Sequence, residues 1–468
     1  MIVSLYPGSK LSYLIIPFYL RSTEKILLSL QIKNSYSRNI IFSMAQIINA
    51  QLEDVRVHPK KVEDYIHFVG EKFINELQKK SNKLKGKRLL NINATSYGGG
   101  VAEILRVQVA LMRDLGIDAH WQVLKAPQEF YTVTKTFHNV LQGKNTAINE
   151  SDLELFFEVQ KVASKSFVES FDYVMVHDPQ PLCLVDYTNV PVKHWIWRCH
   201  IDTSTPNQQL LNVLCPYIAK YESVIFTMED FIFKDIKCNS NNIALIPPSI
   251  DPVSPKNVDM SETEVNNLLK SYNVDPDRPL IVQVSRFDPW KDPLGVIDVY
   301  RNIQYGQVAK GIKGLQLALV GSIAHDDPEG WLIYDRVMRK AGEDFDIHVY
   351  SNFHNVGDVA INSFQQGADV IMQKSLKEGF GLTVTEAMWN RKPVVGGNVG
   401  GIRLQIEDGK TGFLINNIQE ATEKVLFLLQ NNDVAKEMGR RGREKILKNF
   451  LCVHELEKII NLLLKMEK

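Results

Sequence analysis

Residues 87–124 read KRLLNINATSYGGGVAEILRVQVALMRDLGIDAHWQVL. The apolar run at 87–92 suits a short buried strand, and the glycines Gly98, Gly99 and Gly100 follow it. Apolar positions then recur at helical spacing over 101–115, Gly116 ends that helix, and 119–124 forms a second strand. Strand, crossover helix and strand make a βαβ unit, and such units build parallel sheets covered by helices on both faces. The triple glycine lacks the G-x-G-x-x-G order, and the second strand ends in Leu124-Lys125, where a dinucleotide site needs an acidic ribose ligand. A dehydrogenase is therefore disfavoured. Two readings of the loop stay open: a tight structural turn, or a flexible one whose amides face a bound sugar or phosphate.

Outward from this unit the same alternation recurs. Upstream, Ile66, Val69, Phe73, Ile74 and Leu77 predict one peripheral helix over 64–84. Downstream, strands are expected at 173–176, 195–198, 221–226 and 243–246. The first of these ends in HDPQPL, with His177 and Asp178 at its tip, and the second in CHID, with His200 and Asp202. One histidine at a strand end is ordinarily structural. Two His/Asp clusters at carboxyl ends of strands in one open sheet point at one cleft. There an imidazole can donate to a sugar hydroxyl and a carboxylate can position it.

The proline-rich IPPSIDPVSP at 246–255 marks a domain boundary. A second βα series follows, with strands expected at 280–284, 315–320, 347–350, 370–372 and 393–396 and helices at 293–305, 330–341, 356–366 and 383–390. The fold class is α/β, with two doubly wound Rossmann-like domains. The expected division is 44–247, 248–430 and a set of C-terminal helices over 431–468 that packs back on the first domain. Within those helices KEMGRRGREK reads as a solvated face. Residues 1–43 read as a leader without chemistry, either a loose extension or an upstream start, with Met44 as the alternative first residue.

A length of 468 residues suits two or three domains, and 44% apolar and 23% charged residues are ordinary for a globular protein. Formal charge is zero, with 54 basic and 54 acidic residues, so nothing global calls for nucleic acid or an anionic membrane. Five scattered cysteines without C-x-x-C spacing argue against a disulfide framework or structural zinc and suggest a reducing cytoplasm. No run reaches the roughly 18 apolar residues of a membrane span, and no secretory signal is convincing.

Two stretches of the second series carry chemistry. In QKSLKEGFGLTVTEAMWNRKPVVGGNVGG, residues 373–401, Glu378 and Glu386 flank a Gly-Phe-Gly turn that opens a helix. Helix N-terminal amides accept phosphate and carboxylates accept bonds from hydroxyls, which together suit a nucleotide-sugar. In SRFDPWKDP, residues 285–293, Arg286 and Lys291 share one loop at a strand end, where a guanidinium fork and a mobile ammonium can hold a diphosphate in place of a metal. Metal motifs are missing from the sequence, and the pairs Asp275/Asp277 and Asp344/Asp346 precede predicted strands, at the wrong end of the sheet for a ligand.

Two α/β lobes, a glycine loop in the first, SRFDPWKDP in the second and the Glu378–Glu386 spacing resemble the retaining glycosyltransferases of the GT-B fold. The segments NATSYGGGVAEIL, MRDLGIDAHW, HDPQP, WRCHID, QKSLKEGFGLTVTEAMW and VGGIRLQIEDGKTGFLI are similar to those of trehalose glycosyltransferring synthases, a family close to the retaining trehalose phosphorylases. The resemblance implies roles. Arg286 and Lys291 would hold the donor diphosphate, Glu386 the ribose and Glu378 the hydroxyls of the transferred glucose. The amides at Leu382 and Thr383, after Gly381, would meet phosphate. His200 would contact the donor sugar near its reacting carbon, with Gly99 and Gly100 lining the same cleft, and His177, Asp178 and Arg198 would face the acceptor glucose. It also implies reversible transfer from a nucleoside-diphosphate-glucose (NDP-glucose) to glucose, giving trehalose with retention. It implies no cofactor, no required metal and no nucleic-acid or membrane partner, and it leaves a homodimer open. Phosphorolysis of trehalose, a sucrose- or glucan-type synthase, and a nucleotide-sugar-binding regulator remain as alternatives.

Overall fold

The glycine loop and its crossover helix are the pivot of the first lobe. Strand β1 is Gln51–Asp54, β2 Arg88–Asn93, β3 Asp118–Lys125, β4 Phe171–His177, β5 Val192–Arg198, β6 Ser223–Phe226 and β7 Asn242–Leu245. They form one sheet in the order β1-β3-β2-β4-β5-β6-β7, parallel except for β1, which runs antiparallel to β3. The second lobe holds β8 Leu280–Arg286, β9 Gln316–Ser322, β10 Ile347–Tyr350, β11 Val370–Gln373, β12 Val394–Gly397 and β13 Phe413–Ile415. That sheet is wholly parallel, in the order β10-β9-β8-β11-β12-β13. In this computed structural model residues 49–233, 242–306, 312–323 and 329–468 are described. The expected leader at 1–43 lies outside them, and residues 50–468 form one compact unit.

The strands are apolar on both faces because helices cover both. In β8 the run Leu280, Ile281, Val282 and Val284 is almost fully buried, as in the centre of a parallel sheet. Each sheet reverses its winding once, between β2 and β4 in the first lobe and between β8 and β11 in the second. Ligands of open α/β sheets collect at the carboxyl ends of strands beside such reversals. The tips there are Asn93 and His177 in the first lobe and Arg286 and Gln373 in the second.

Several sequence expectations are adjusted. The helix expected over 64–84 breaks at Gly70, whose φ of +82° ends Ile66–Val69 before Glu71–Ser81 begins. Arg440 and Arg441 are exposed and paired with Glu437, as a solvated face should be. Arg443 is not: its guanidinium lies 3.9 Å above the Trp389 ring and donates to the Trp389 carbonyl at 2.8 Å. The return to the first lobe begins later than 431. Helix Asn432–Asn449 packs on Leu382–Trp389 of the second lobe, and only Cys452–Met466 packs on Gly100–Asp114 and Glu71–Ser81 of the first.

The chain therefore crosses between lobes twice, near 246–250 and 450–452. The crossings are joined at Ile250 by bonds of 2.9 Å from its N–H to the Phe450 carbonyl and from the Cys452 N–H to its own carbonyl. Among the cysteines, Cys183, Cys199 and Cys452 are free and buried. Cys215 is disulfide-bonded, so a bridge is present although the cysteine spacing argues against a disulfide framework. No helix among the described residues is long and apolar enough to cross a membrane.

Candidate active site

The strand tips of both lobes face one cleft of about 460 Å³. Gly99, Gly100, His177, Asp178 and His200 line it from the first lobe, and Arg286, Lys291, Glu378, Gly381, Leu382, Thr383 and Glu386 from the second. Arg198 does not line it. Its side chain is 1% exposed, pairs with the equally buried Glu455 of the last helix, and donates to the Ile246 carbonyl at 3.4 Å. The expected contact of Arg198 with an acceptor sugar is corrected: this arginine ties the last helix to the first sheet.

On the second-lobe wall, β8 ends at Arg286, and Asp288 caps the following turn by accepting from the Trp290 N–H at 2.8 Å. That turn aims Lys291 across to the loop after β11, where its Nζ lies 2.5 Å from Glu378 Oε2, and Ser375 donates to the same oxygen at 3.0 Å. Asp288 is buried beside three cations. Burial opposes its charge, but Arg286, Lys135 and Lys291 outweigh it and hold the carboxyl well below the usual range. Gly381, at φ +87°, starts the helix Leu382–Trp389, so the Leu382 and Thr383 N–H groups lie in its first turn, beyond the reach of intrahelical acceptors. One turn on, Glu386 is 2% exposed at its side chain, 3.2 Å from Lys256 Nζ and 3.2 Å from Gln365 Nε2. Burial raises its pKa, against the opposing charge of Lys256.

On the first-lobe wall, His177 Nδ1 lies 2.9 Å from His200 Nε2, and His177 Nε2 lies 3.2 Å from Asn91 Oδ1. Burial, and then the Arg198 charge, lower both histidine pKa values well below the ordinary one, so both rings are neutral near pH 7. A neutral ring carries one N–H, and the Asn91 amide selects where it sits. Asn91 Nδ2 points to the His120 carbonyl at 3.4 Å, which turns Asn91 Oδ1 towards His177 as an acceptor. His177 Nε2–H donates to it, and His200 Nε2–H donates to His177 Nδ1. His200 is left with Nδ1 as an acceptor, the reverse of the donating role expected from sequence. Asp178, at φ +62°, accepts from the His200 N–H at 2.8 Å, and burial pushes its carboxyl up to about 7.

Other cleft residues were not singled out in the sequence. Helix Gln128–Leu141 brings Tyr131, Lys135 and His138 to the cleft on one face, and Lys135 bonds Asp288 of the opposite lobe at 3.0 Å. That i, i+4, i+7 spacing was the available signal. Lys256 and Glu103 are also cleft residues, joined across the lobes at 2.7 Å. Among the described residues no group of three or more His, Cys, Asp or Glu side chains is arranged to hold a metal ion.

The geometry accords with what the chain is similar to. Residues 91–233 match the family described as trehalose synthase, N-terminal domain, and residues 264–445 match glycosyl transferases group 1. The trehalose synthase of Thermococcus litoralis is 48% identical over 406 residues, covering 86% of this chain and 97% of the relative. A trehalose phosphorylase of Grifola frondosa is 27% identical over 432 residues, covering 82% of this chain and 58% of that one. Among solved structures, an alpha,alpha-trehalose-phosphate synthase (UDP-forming) from Burkholderia xenovorans, in complex with glucose-6-phosphate, aligns with a TM-score of 0.62 at 13% identity. That alignment covers 82% of this chain and 100% of that one, a likeness of GT-B fold alone. With both lobes matched and nearly half of the aligned residues identical to a trehalose synthase, the chain belongs to the trehalose synthase family of group 1 glycosyltransferases.

Proposed function

We propose that this cleft transfers glucose from an NDP-α-glucose to the anomeric hydroxyl of free glucose, with retention, forming trehalose and releasing the nucleoside diphosphate. The observation that carries the reading is the cation pair on one wall: Arg286 at the tip of β8, and Lys291 held 2.5 Å from Glu378 in the loop after β11. As the bond from the sugar's anomeric carbon to the phosphate oxygen breaks, negative charge grows on that oxygen. Arg286, Lys291 and the first-turn amides at Leu382 and Thr383 stabilise it without rearranging. Glu378 accepts from hydroxyls of the transferred glucose and Glu386 from the ribose.

The acceptor glucose lies against Asp178, with His177 setting the ring of His200 and His200 Nδ1 accepting from a donor-sugar hydroxyl. Attack comes from the face the diphosphate leaves. The departing phosphate oxygen takes the acceptor's hydroxyl proton, so the new glycosidic bond forms without a protein nucleophile. Similarity supports synthesis over phosphorolysis, at 48% identity to a synthase against 27% to a phosphorylase.

The test is a panel of nucleoside-diphosphate glucoses with free glucose, followed by identification of the disaccharide, beside trehalose incubated with a nucleoside diphosphate or with inorganic phosphate. Trehalose from the first arm and NDP-glucose from the second support the reading. Glucose 1-phosphate from the phosphate arm, with no nucleotide product in the others, replaces it with a phosphorylase.

A further inference from the structure

Glu386 is a carboxylate with nearly no exposure at the bottom of the cleft, and its nearest cation is Lys256. Lys256 belongs to neither βα series. It follows the first interlobe crossing, in a segment anchored to the second lobe, where Trp389 Nε1 donates to the Asn257 carbonyl at 2.8 Å and Asn362 Nδ2 to the Pro255 carbonyl at 3.1 Å. From that anchor the ammonium meets Glu386 Oε1 at 3.2 Å and reaches across the cleft to Glu103 Oε1 at 2.7 Å. Glu103 stands in the first turn of the helix behind the glycine loop, on the other lobe.

We propose that Lys256 is a positioning residue for the donor nucleotide: it holds the Glu386 carboxylate ionised for the ribose hydroxyls and, through Glu103, links an ordered ribose site to the closed arrangement of the lobes. The proposal rests on the reading of Glu386 as the ribose ligand. A carboxylate buried this deeply without a counter-ion takes up a proton near neutral pH and loses acceptor capacity. The charged groups around the pair are Glu103 from the first lobe, and Asp358 and Glu386 from the second. Lys256 is the cation among them. The two links differ in strength. Glu103 is 46% exposed, so its bond is screened by solvent, whereas Glu386 at 2% is not.

The experiment uses the full chain, with steady-state kinetics on NDP-glucose from about pH 6 to pH 9, the span over which a buried glutamate without its cation titrates. In K256M the KM for the donor rises about tenfold at neutral pH, the loss expected when one charge-assisted contact goes, and recovers as pH rises, while kcat changes less. K256R restores the pH-independent KM of the parent. E103Q raises KM by a smaller factor and keeps that flat profile. K256Q reads the same slope if K256M does not fold.

Affinity for the nucleoside diphosphate and for its 2′,3′-dideoxy counterpart separates the two layers of the reading. A parent protein that binds both equally removes the ribose assignment of Glu386 and the proposal with it. A parent that discriminates, alongside a K256M or K256Q variant with equal discrimination and a flat KM profile, overturns the role of Lys256 alone.

Discussion

Replacing Lys291 with Met tests the proposed chemistry most directly. The side chain is 15% exposed and pairs with the Glu378 carboxylate, itself 7% exposed, so the ammonium acts where water screens it little. A unit charge about 4 Å from the developing phosphate charge, at an effective dielectric near 20, contributes roughly 4 kcal/mol. Loss of one preorganised donor to an oxyanion typically costs about 2.7–4 kcal/mol, or 10²- to 10³-fold in kcat. K291M should fall at the upper end of that range. It removes the cation and also leaves the Glu378 charge unopposed, beside the place where the new negative charge forms. The double variant K291M/E378Q should regain part of the lost rate by removing that repulsion. The assay is the initial rate of nucleoside diphosphate release at saturating donor and glucose, with thermal unfolding as the control for the fold. A K291M enzyme within about tenfold of the parent kcat, with its fold intact, refutes the electrostatic role given to Lys291.

Three further outcomes are expected. E455A leaves Arg198 buried without its counter-charge and lowers stability by about 3–5 kcal/mol in urea denaturation, whereas R198M/E455L, which replaces both partners by apolar groups, is close to neutral. Asp178, with a carboxyl near 7 in the fold against about 3.8 for an ordinary aspartate, binds more protons folded than unfolded. Its contribution is therefore fully present below about pH 4 and lost as pH rises through 7, and the difference between parent and D178N unfolding curves should show that slope and flatten above it. At Gly379 a Cβ would lie 2.1 Å from the His200 carbonyl oxygen, so G379A forces the two walls apart and lowers kcat/KM by about 10²-fold while melting changes little.

The strand tips were legible because they depend on short apolar runs with chemistry immediately after them, as in KRLLNI before the glycine loop and LIVQV before Arg286. The parallel order then brings those tips together without further information: β2 lies beside β4, and β8 beside β11. What the tips did not tell is which way each side chain turns. His177 and Arg198 are direct partners in the register of β4 and β5, yet one lines the cleft and the other is buried under the last helix. The difference is set by Glu455, 257 residues further on, a separation across which no local pattern carries information. Strand β1 was not legible for another reason. QLED is four residues at an edge, too short for its alternation to stand out.

The misplaced C-terminal boundary has the same cause and a structural consequence. Basic periodicity in 432–449 marks a helix but not the lobe it packs on. That choice is made by Trp389, whose ring receives Arg443 and whose indole N–H binds the Asn257 carbonyl beside Lys256. Helix Asn432–Asn449 is thereby held to the second lobe, and the chain returns only at 450–452, alongside the outgoing crossing at Ile250. Away from those two bonded crossings the lobes are joined by side chains, among them Lys135 to Asp288, Trp290 to Asn139, Lys256 to Glu103, Lys144 to Glu329, Lys377 to Thr205 and Arg403 to Asp230. A pair of lobes joined this way has one backbone-bonded connection and otherwise separable polar contacts, an arrangement suited to hinge motion about the crossings. Of those residues Glu103, Lys135, Lys256, Asp288, Trp290 and Lys377 line the cleft, so contacts that close it also set the positions of the groups proposed to act in it.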